Sequence, residues 1–166
     1  MNYKILDFTV HTDKEKKDAG NLVALEKGDN FPFEIKWVYY IWGSSYNTVR
    51  GFHAHKNLEQ VIVCLSGSCE FTLDDGKEKQ NVLLNKPTQG LYISNDIWRE
   101  FTHFSEDCIL MVIASEHYTE SDYIRDYQEY LLSRRGGGRS FWHKRYIFLP
   151  FWYKKNFLHL WCIRQW

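Results

Sequence analysis

The chain has 166 residues, 44% of them hydrophobic and 17% aromatic, with a formal net charge of zero. That length carries one domain with a sizeable core, and the apolar content excludes an intrinsically disordered chain. The neutral total hides a split: residues 1–131 hold 13 Lys+Arg and all 21 Asp+Glu, while residues 132–166 hold 8 Lys+Arg and no acid, so an acidic body precedes a basic tail and nucleic acid is excluded as the body's partner.

Short runs rich in Val, Ile, Phe, Tyr and Thr recur along the body. They are Tyr3–Thr9, Asn21–Leu25, Lys36–Trp42, Gly51–His55, Gln60–Ser66, Cys69–Leu73, Asn81–Leu84, Gly90–Ile93, Trp98–Phe104 and Cys108–Ala114. Polar turn clusters at 27–30, 74–76 and 94–96 separate several of them, and Asp75-Gly76 predicts a hairpin turn. This density of short strands predicts an all-β sandwich or barrel. A helix is expected next, capped by Thr119, with Asp122 facing the free N–H groups and a stripe of Tyr123, Ile124, Tyr127, Tyr130 and Leu131 packing on the sheet.

The segment from Ser133 to Ser140, with three glycines and three arginines, reads as a flexible link. Ten aromatics follow in residues 141–166, interleaved with Lys and Arg. Two readings stand: an aberrant C-terminus, which the lack of acids and of any pattern favours, and an amphipathic interfacial segment. Residues 1–131 are thus expected to form the domain and 132–166 a separate tail. Cys64, Cys69, Cys108 and Cys162 form no CxxC pair, and Cys64 and Cys108 read as small buried apolar side chains. The N-terminus shows no charged-then-apolar signal pattern, and no run of eighteen apolar residues occurs. The expectation is a cytoplasmic protein without stable membrane insertion.

The chemistry concentrates at residues 50–67. His53 and His55 sit at i and i+2, which on a strand points both imidazoles to one face. Such a pair suggests a metal, but a metal needs a third and usually a fourth ligand. The segment resembles the first motif of the cupin family, a jelly-roll β-barrel in which an acid follows the two histidines. Spacing back from Gly67 puts Gln60, not Glu59, at that acid's position. In the stretch resembling the second motif, Pro87 to Glu100, the last ligand's place is taken by Arg99, a permanent cation. The resemblance therefore implies a cupin cavity with no metal and two histidines free for acid–base work.

A narrower resemblance rests on Tyr-Tyr-Ile-Trp-Gly at 39–43, Arg-Gly-Phe-His-Ala-His-Lys at 50–56, Gly90-Leu-Tyr-Ile, Ile97-Trp98, Phe104-Ser105 and Ser121-Asp-Tyr-Ile-Arg-Asp-Tyr. Across residues 1–131 the chain is similar to the nucleotide-sugar 3,4-ketoisomerases, small cupins acting on dTDP-4-keto-6-deoxyglucose. That resemblance implies an isomerase that moves a ketone from C4 to C3 through an enediol, in nucleotide-sugar biosynthesis for surface polysaccharide. It implies no cofactor, a dTDP-linked keto sugar as partner and a homodimer. His55 is expected to be the principal base and His53 the proton shuttle, although the order could be reversed. Tyr40 is expected to be the tyrosine that polarises the carbonyl or protonates the intermediate, with its neighbour Tyr39, which faces the opposite way, as the alternative because the variable loop leaves the alignment open by one position. Arg50 and Arg99 are expected to grip the diphosphate, and Gln60 to contact substrate. Two other classes stand beside this reading: a non-catalytic sugar-binding cupin, and a related epimerase, whose histidine–aspartate pair and distant tyrosine the spacing does not match.

Overall fold

The structure, a computed structural model, describes residues 1–16 and 18–135. In chain order the elements are β1 (Tyr3–Asp7), β2 (His11–Thr12), β3 (Asn21–Leu22), β4 (Trp37–Trp42), β5 (Arg50–His55), β6 (Gln60–Ser66), β7 (Cys69–Asp74), β8 (Lys79–Leu84), β9 (Gln89–Ile93), β10 (Trp98–Thr102), β11 (Ile109–Ala114), a 3-10 turn at Glu120–Asp122, β12 (Tyr123–Ile124) and α1 (Tyr127–Arg135). Two five-stranded antiparallel sheets, ordered β1-β9-β6-β11-β4 and β12-β5-β10-β7-β8, carry the fold, and β2 and β3 form a separate two-stranded ribbon. Each strand-like run of the sequence contains a strand, and β7–β8 form the expected hairpin, with Gly76 at φ 85° in its turn.

The main core lies between the sheets. Ile62 and Cys64 of β6 and Leu110 and Val112 of β11 meet Phe71, Leu73 and Phe101 of the opposite sheet. The continuous apolar run Val61–Cys64 is buried on both faces. Its odd positions, Val61 and Val63, are covered with Ile113 by Phe8, Phe31 and Phe33 from the N-terminal segment. Cys64, Cys69 and Cys108 are buried free thiols, as small apolar side chains would be. Cys162 and the tail from residue 136 onward, including the amphipathic and aberrant-terminus readings, lie outside the described residues.

The expected helix from Thr119 begins later. Tyr123 and Ile124 pair instead with His55 and Ala54 on the free edge of β5, so their side chains alternate rather than forming a stripe. Ile124 goes outward to Ala54, Trp98 and Tyr130, while Tyr123 goes to the histidines. The true cap is Asp126, whose Oδ1 accepts from the Glu129 N–H at 2.8 Å. The Tyr130 hydroxyl then donates to the carbonyl of Asp74 at 2.6 Å, fixing α1 on the second sheet. The helix also runs through Ser133–Arg135, where the sequence suggested the start of a flexible link.

One irregularity matters for the site. Between β5 and β10 the register slips, pairing His53 with Arg99 and Gly51 with Glu100, so Phe52 is an extra, bulged residue. Gly51 (φ 95°) and Phe52 (φ 52°) both adopt left-handed conformations. A Cβ at position 51 would lie 2.5 Å from the Arg99 carbonyl oxygen, so the close approach of the strands there requires glycine.

Candidate active site

The bulge turns Phe52 outward and His53 inward, and the regular alternation after it brings His55 to the same side. The two rings stand edge-on, 4.8 Å apart. The His53 Nδ1–H donates to the Gly51 carbonyl at 2.9 Å. The His55 Nδ1–H donates to Asp122 Oδ2 at 3.0 Å. Both acceptors only accept, so each imidazole is held with its proton on Nδ1 and its lone pair on Nε2. The Nε2 of fully buried His55 has no hydrogen-bond partner among the described residues. Burial first, then the Arg99 charge, holds His53 well below the ordinary histidine range. Burial also lowers His55 to about 4, outweighing the opposing pull of Asp122. Both rings are therefore neutral bases at pH 7.

Arg99 points into the interior from β10 and is fully buried. Its guanidinium donates to Gln60 Oε1 at 3.2 Å and to the Ser94 carbonyl at 3.4 Å, and its Nε has no partner. Among the described residues no carboxylate lies within ion-pair distance of it. Burial lowers its pKa to about 10, so it remains charged. A buried cation without an anion is costly, and it marks a place where a ligand's negative charge would be stabilised. Gln60 completes this group from β6: its Nε2 donates to the Tyr39 hydroxyl at 3.1 Å. Tyr39, His53, Gln60 and Arg99 line one cavity floored by Phe71 and Phe101. Its volume is about 30 Å³, enough to admit a polar group of a ligand.

The sequence-derived residues thus divide. His53, His55, Gln60 and Arg99 are brought together. Tyr40 is not: it is 64% exposed on the outer face of β4, stacked 5.4 Å from Trp42. The strand pleat gives the inward position to Tyr39, whose phenol burial pushes well above its ordinary range. Arg50 is exposed at the start of β5, close enough for its charge to act on the Tyr39 phenol. Arg99 lies too deep to share an exposed diphosphate grip with it. Glu59 faces the other way and accepts from the Tyr92 hydroxyl at 2.5 Å. Trp98 packs on Tyr127 and Tyr130 as core. Among the described residues no cluster of three or more His, Cys, Asp or Glu is arranged to hold a metal ion.

Two participants carry no local signal in the sequence. Asp122, expected at a helix cap, is instead buried and accepts from His55, from the Asn57 N–H and side-chain amide at 2.9 and 3.0 Å, and from the Leu58 N–H at 3.3 Å. A histidine–aspartate pair is therefore present, 67 residues apart in sequence, and the spacing argument against an epimerase does not hold. Tyr123, expected in a helical stripe, instead has its ring 4.9 Å from that of His53 and 4.3 Å from that of His55, with the Arg125 guanidinium 4.3 Å over its centre.

Known proteins distinguish these possibilities. A curated relative from Aneurinibacillus thermoaerophilus, TDP-4-oxo-6-deoxy-alpha-D-glucose-3,4-oxoisomerase, is 48% identical over 130 residues, covering 78% of this chain and 91% of its own. WlaRA, a TDP-fucose-3,4-ketoisomerase from Campylobacter jejuni, superposes with a TM-score of 0.76 at 42% identity, over 81% of this chain and 96% of its own. A histidine-to-asparagine variant of the 3,4-ketoisomerase QdtA from Thermoanaerobacterium thermosaccharolyticum, solved with TDP-4-keto-6-deoxyglucose, superposes at 0.75 with 40% identity, over 81% and 94%. The cupin barrel expected from the sequence is the fold of these neighbours. Residues 1–135 match the family described as "FdtA: WxcM-like, C-terminal", and the chain belongs to that family of sugar 3,4-ketoisomerases.

Proposed function

We propose that the protein isomerises a dTDP-linked 4-keto-6-deoxyhexose, moving its ketone from C4 to C3. The observation that carries the reading is the pair of neutral imidazoles with free Nε2 lone pairs beside a buried guanidinium that lacks a carboxylate. The similarity to proteins named as 3,4-ketoisomerases supports it.

The chemistry follows from the chain's own groups. The proton at C3 is acidified by the C4 ketone. His53, which lines the cavity, takes it on Nε2, the C3–H bond breaks, and its electrons form the C3=C4 bond of an enediolate. The negative charge lands on the C4 oxygen, where Arg99 and the Tyr39 hydroxyl stabilise it in a water-poor setting. His55 Nε2 takes the hydroxyl proton from the C3 oxygen and delivers it at C4, the proton held on His53 passes to the C4 oxygen, and the ketone stands at C3. Atoms and electrons balance within the sugar, so no redox cofactor is required. This reading gives His53 the first proton transfer and His55 the second, the reverse of the order expected first. Gln60 orients Tyr39 and Arg99, and Arg50 at the rim takes the diphosphate.

A homodimer belongs to the same proposal. Val38, Tyr40 and Trp42 on the outer face of edge strand β4, with neighbouring Ile109, form an exposed apolar strip suited to a second copy. Three buried free thiols fit a reducing compartment, the cytoplasm. In the described residues no helix is long and apolar enough to cross a membrane.

Proton NMR of dTDP-4-keto-6-deoxyglucose in D₂O with the protein tests the reaction. The 3-keto sugar should appear with deuterium at C4, and its coupling constants read the configuration there. His53→Asn should lower kcat by about 10²–10⁴-fold with nucleotide binding preserved. Unchanged turnover in the His53→Asn, His55→Asn double variant refutes the site. Sedimentation of Trp42→Glu beside the native protein tests the dimer, and an unchanged sedimentation coefficient removes β4 from the interface.

A further inference from the structure

We infer that Asp122 is a positioning residue for the isomerisation: its carboxylate fixes His55 in the tautomer that presents an unprotonated Nε2 to the reaction. The inference rests on the proposed function and adds to it a residue outside the two-histidine strand.

The geometry is specific. Asp122 Oδ2 accepts from His55 Nδ1 at 3.0 Å, and Oδ1 accepts from the Asn57 N–H and side-chain amide at 2.9 and 3.0 Å. Leu58 N–H adds a longer bond to Oδ2 at 3.3 Å. Four donors converge on one buried carboxylate, while the Asp96 carboxylate acts on it through space. Burial pushes Asp122 up, but the bonds from His55 and Asn57 outweigh it and hold the acid at about 2. It is therefore ionised wherever the enzyme works, and an ionised carboxylate accepts only. His55 has no choice of tautomer while this contact stands.

A purely structural role is the competing account, because three of the four bonds tie down the turn after β5. Two facts separate His55 from that turn. Its Nε2 is buried and unpartnered, which is costly in a residue that serves only to hold a loop. Its ring also stands edge-on to His53, so the lone pair and the cavity-lining base belong to one cluster. The other groups acting on it are the cations Arg99 from β10 and Arg125 after β12, neutral His53 on its own strand and the Tyr123 phenol. Neither cation nor the phenol makes a hydrogen bond to Nδ1. Among the described residues, only Asp122 hydrogen-bonds His55 Nδ1 and so sets the tautomer.

Asp122→Asn tests this. The amide oxygen is drawn to the two Asn57 donors, so its NH₂ faces His55 Nδ1 and forces the proton to Nε2. We expect kcat to fall about 10²–10⁴-fold with Kd for dTDP within twofold. The ¹⁵N shifts of His55 should exchange their protonated and unprotonated positions. Asn57→Ala, which removes a bond to the same carboxylate without touching His55, should lower the melting temperature and leave kcat within threefold. If Asp122→Asn fails to fold, the native protein still decides: ¹⁵N NMR must show His55 protonated on Nδ1 and bare on Nε2 at pH 7. An Nε2–H tautomer in the native protein overturns the inference, as does an Asp122→Asn enzyme with native kcat. Absence of turnover in the native protein with a correct His55 tautomer would instead indict the proposed reaction.

Discussion

Exchanging each of two adjacent tyrosines for phenylalanine tests which face of β4 serves the reaction. Tyr39→Phe removes the hydroxyl that accepts from Gln60 Nε2 at 3.1 Å. Gln60 is 2% exposed and its carbonyl is already committed to Arg99, so its amide cannot turn to water or swap ends. A buried donor left unpaired costs about 1–3 kcal/mol. A domain of this size loses about 2–4 °C per kcal/mol, so the melting temperature should drop by roughly 2–12 °C. The same hydroxyl is placed to stabilise charge on the ketone oxygen, and its loss should lower kcat about 10²–10³-fold. Tyr40→Phe alters an exposed hydroxyl on the outer face, and its stability should stay within about 0.5 kcal/mol of native. Calorimetry and NMR-monitored turnover on both variants give the answer. Tyr40→Phe losing more activity than Tyr39→Phe would refute the assignment of the inward face.

Three further outcomes are expected. Turnover should survive dialysis against EDTA, and elemental analysis should find no stoichiometric metal, since Gln60 and Arg99 stand where two ligands would be needed; a tightly held transition metal bound through His53 and His55 would contradict this. Stability should fall on acidification: with His55 at about 4 in the folded protein and about 6.5 when unfolded, its contribution is whole above pH 6.5 and declines toward pH 4 by about 3 kcal/mol, so urea titrations should find a shallower slope in His55→Asn, the remainder coming from His53. Truncation after Arg135 should leave kcat and melting temperature unchanged, whereas truncation after Leu131 should cost several degrees, because it removes the last turn of α1 and the Arg134 Nε–H bond to the Asp75 carbonyl at 3.1 Å. Equal stability of the two truncations would show that this turn adds nothing.

The legible part of the molecule was the part written in local pattern. Short apolar runs at Gln60–Ser66 and Ile109–Ala114 gave strands, and the i, i+2 spacing of His53 and His55 gave a shared face, which held despite the bulge because the extra residue precedes the pair. Arg99 and Gln60 were found by counting positions against a motif, and both reached the interior. Tyr40 failed by one position, because the loop after β4 leaves the pleat's phase open to any reader who lacks the partner strand. Asp122 and Tyr123 were missed for a different reason. Their neighbours Tyr127 and Tyr130 continue a helical spacing, and nothing local signals that β5 has a free edge waiting to pair with Tyr123 and Ile124. Long-range pairing overrode the local period there, and it placed an acid beside a histidine 67 residues away.

The bulge at Gly51–Phe52 has a consequence for protein engineering. A bulky residue held at φ 52° stores roughly 1–3 kcal/mol, yet Phe52 is 48% exposed and so recovers only part of that through packing. A screen for heat tolerance would therefore select asparagine or glycine at position 52 early, residues at ease in that conformation. The same relief loosens the kink that aims the neighbouring imidazole. Hardened variants altered at position 52 should lose catalytic rate as they gain melting temperature, and thermostability campaigns on this enzyme would do well to hold that residue fixed.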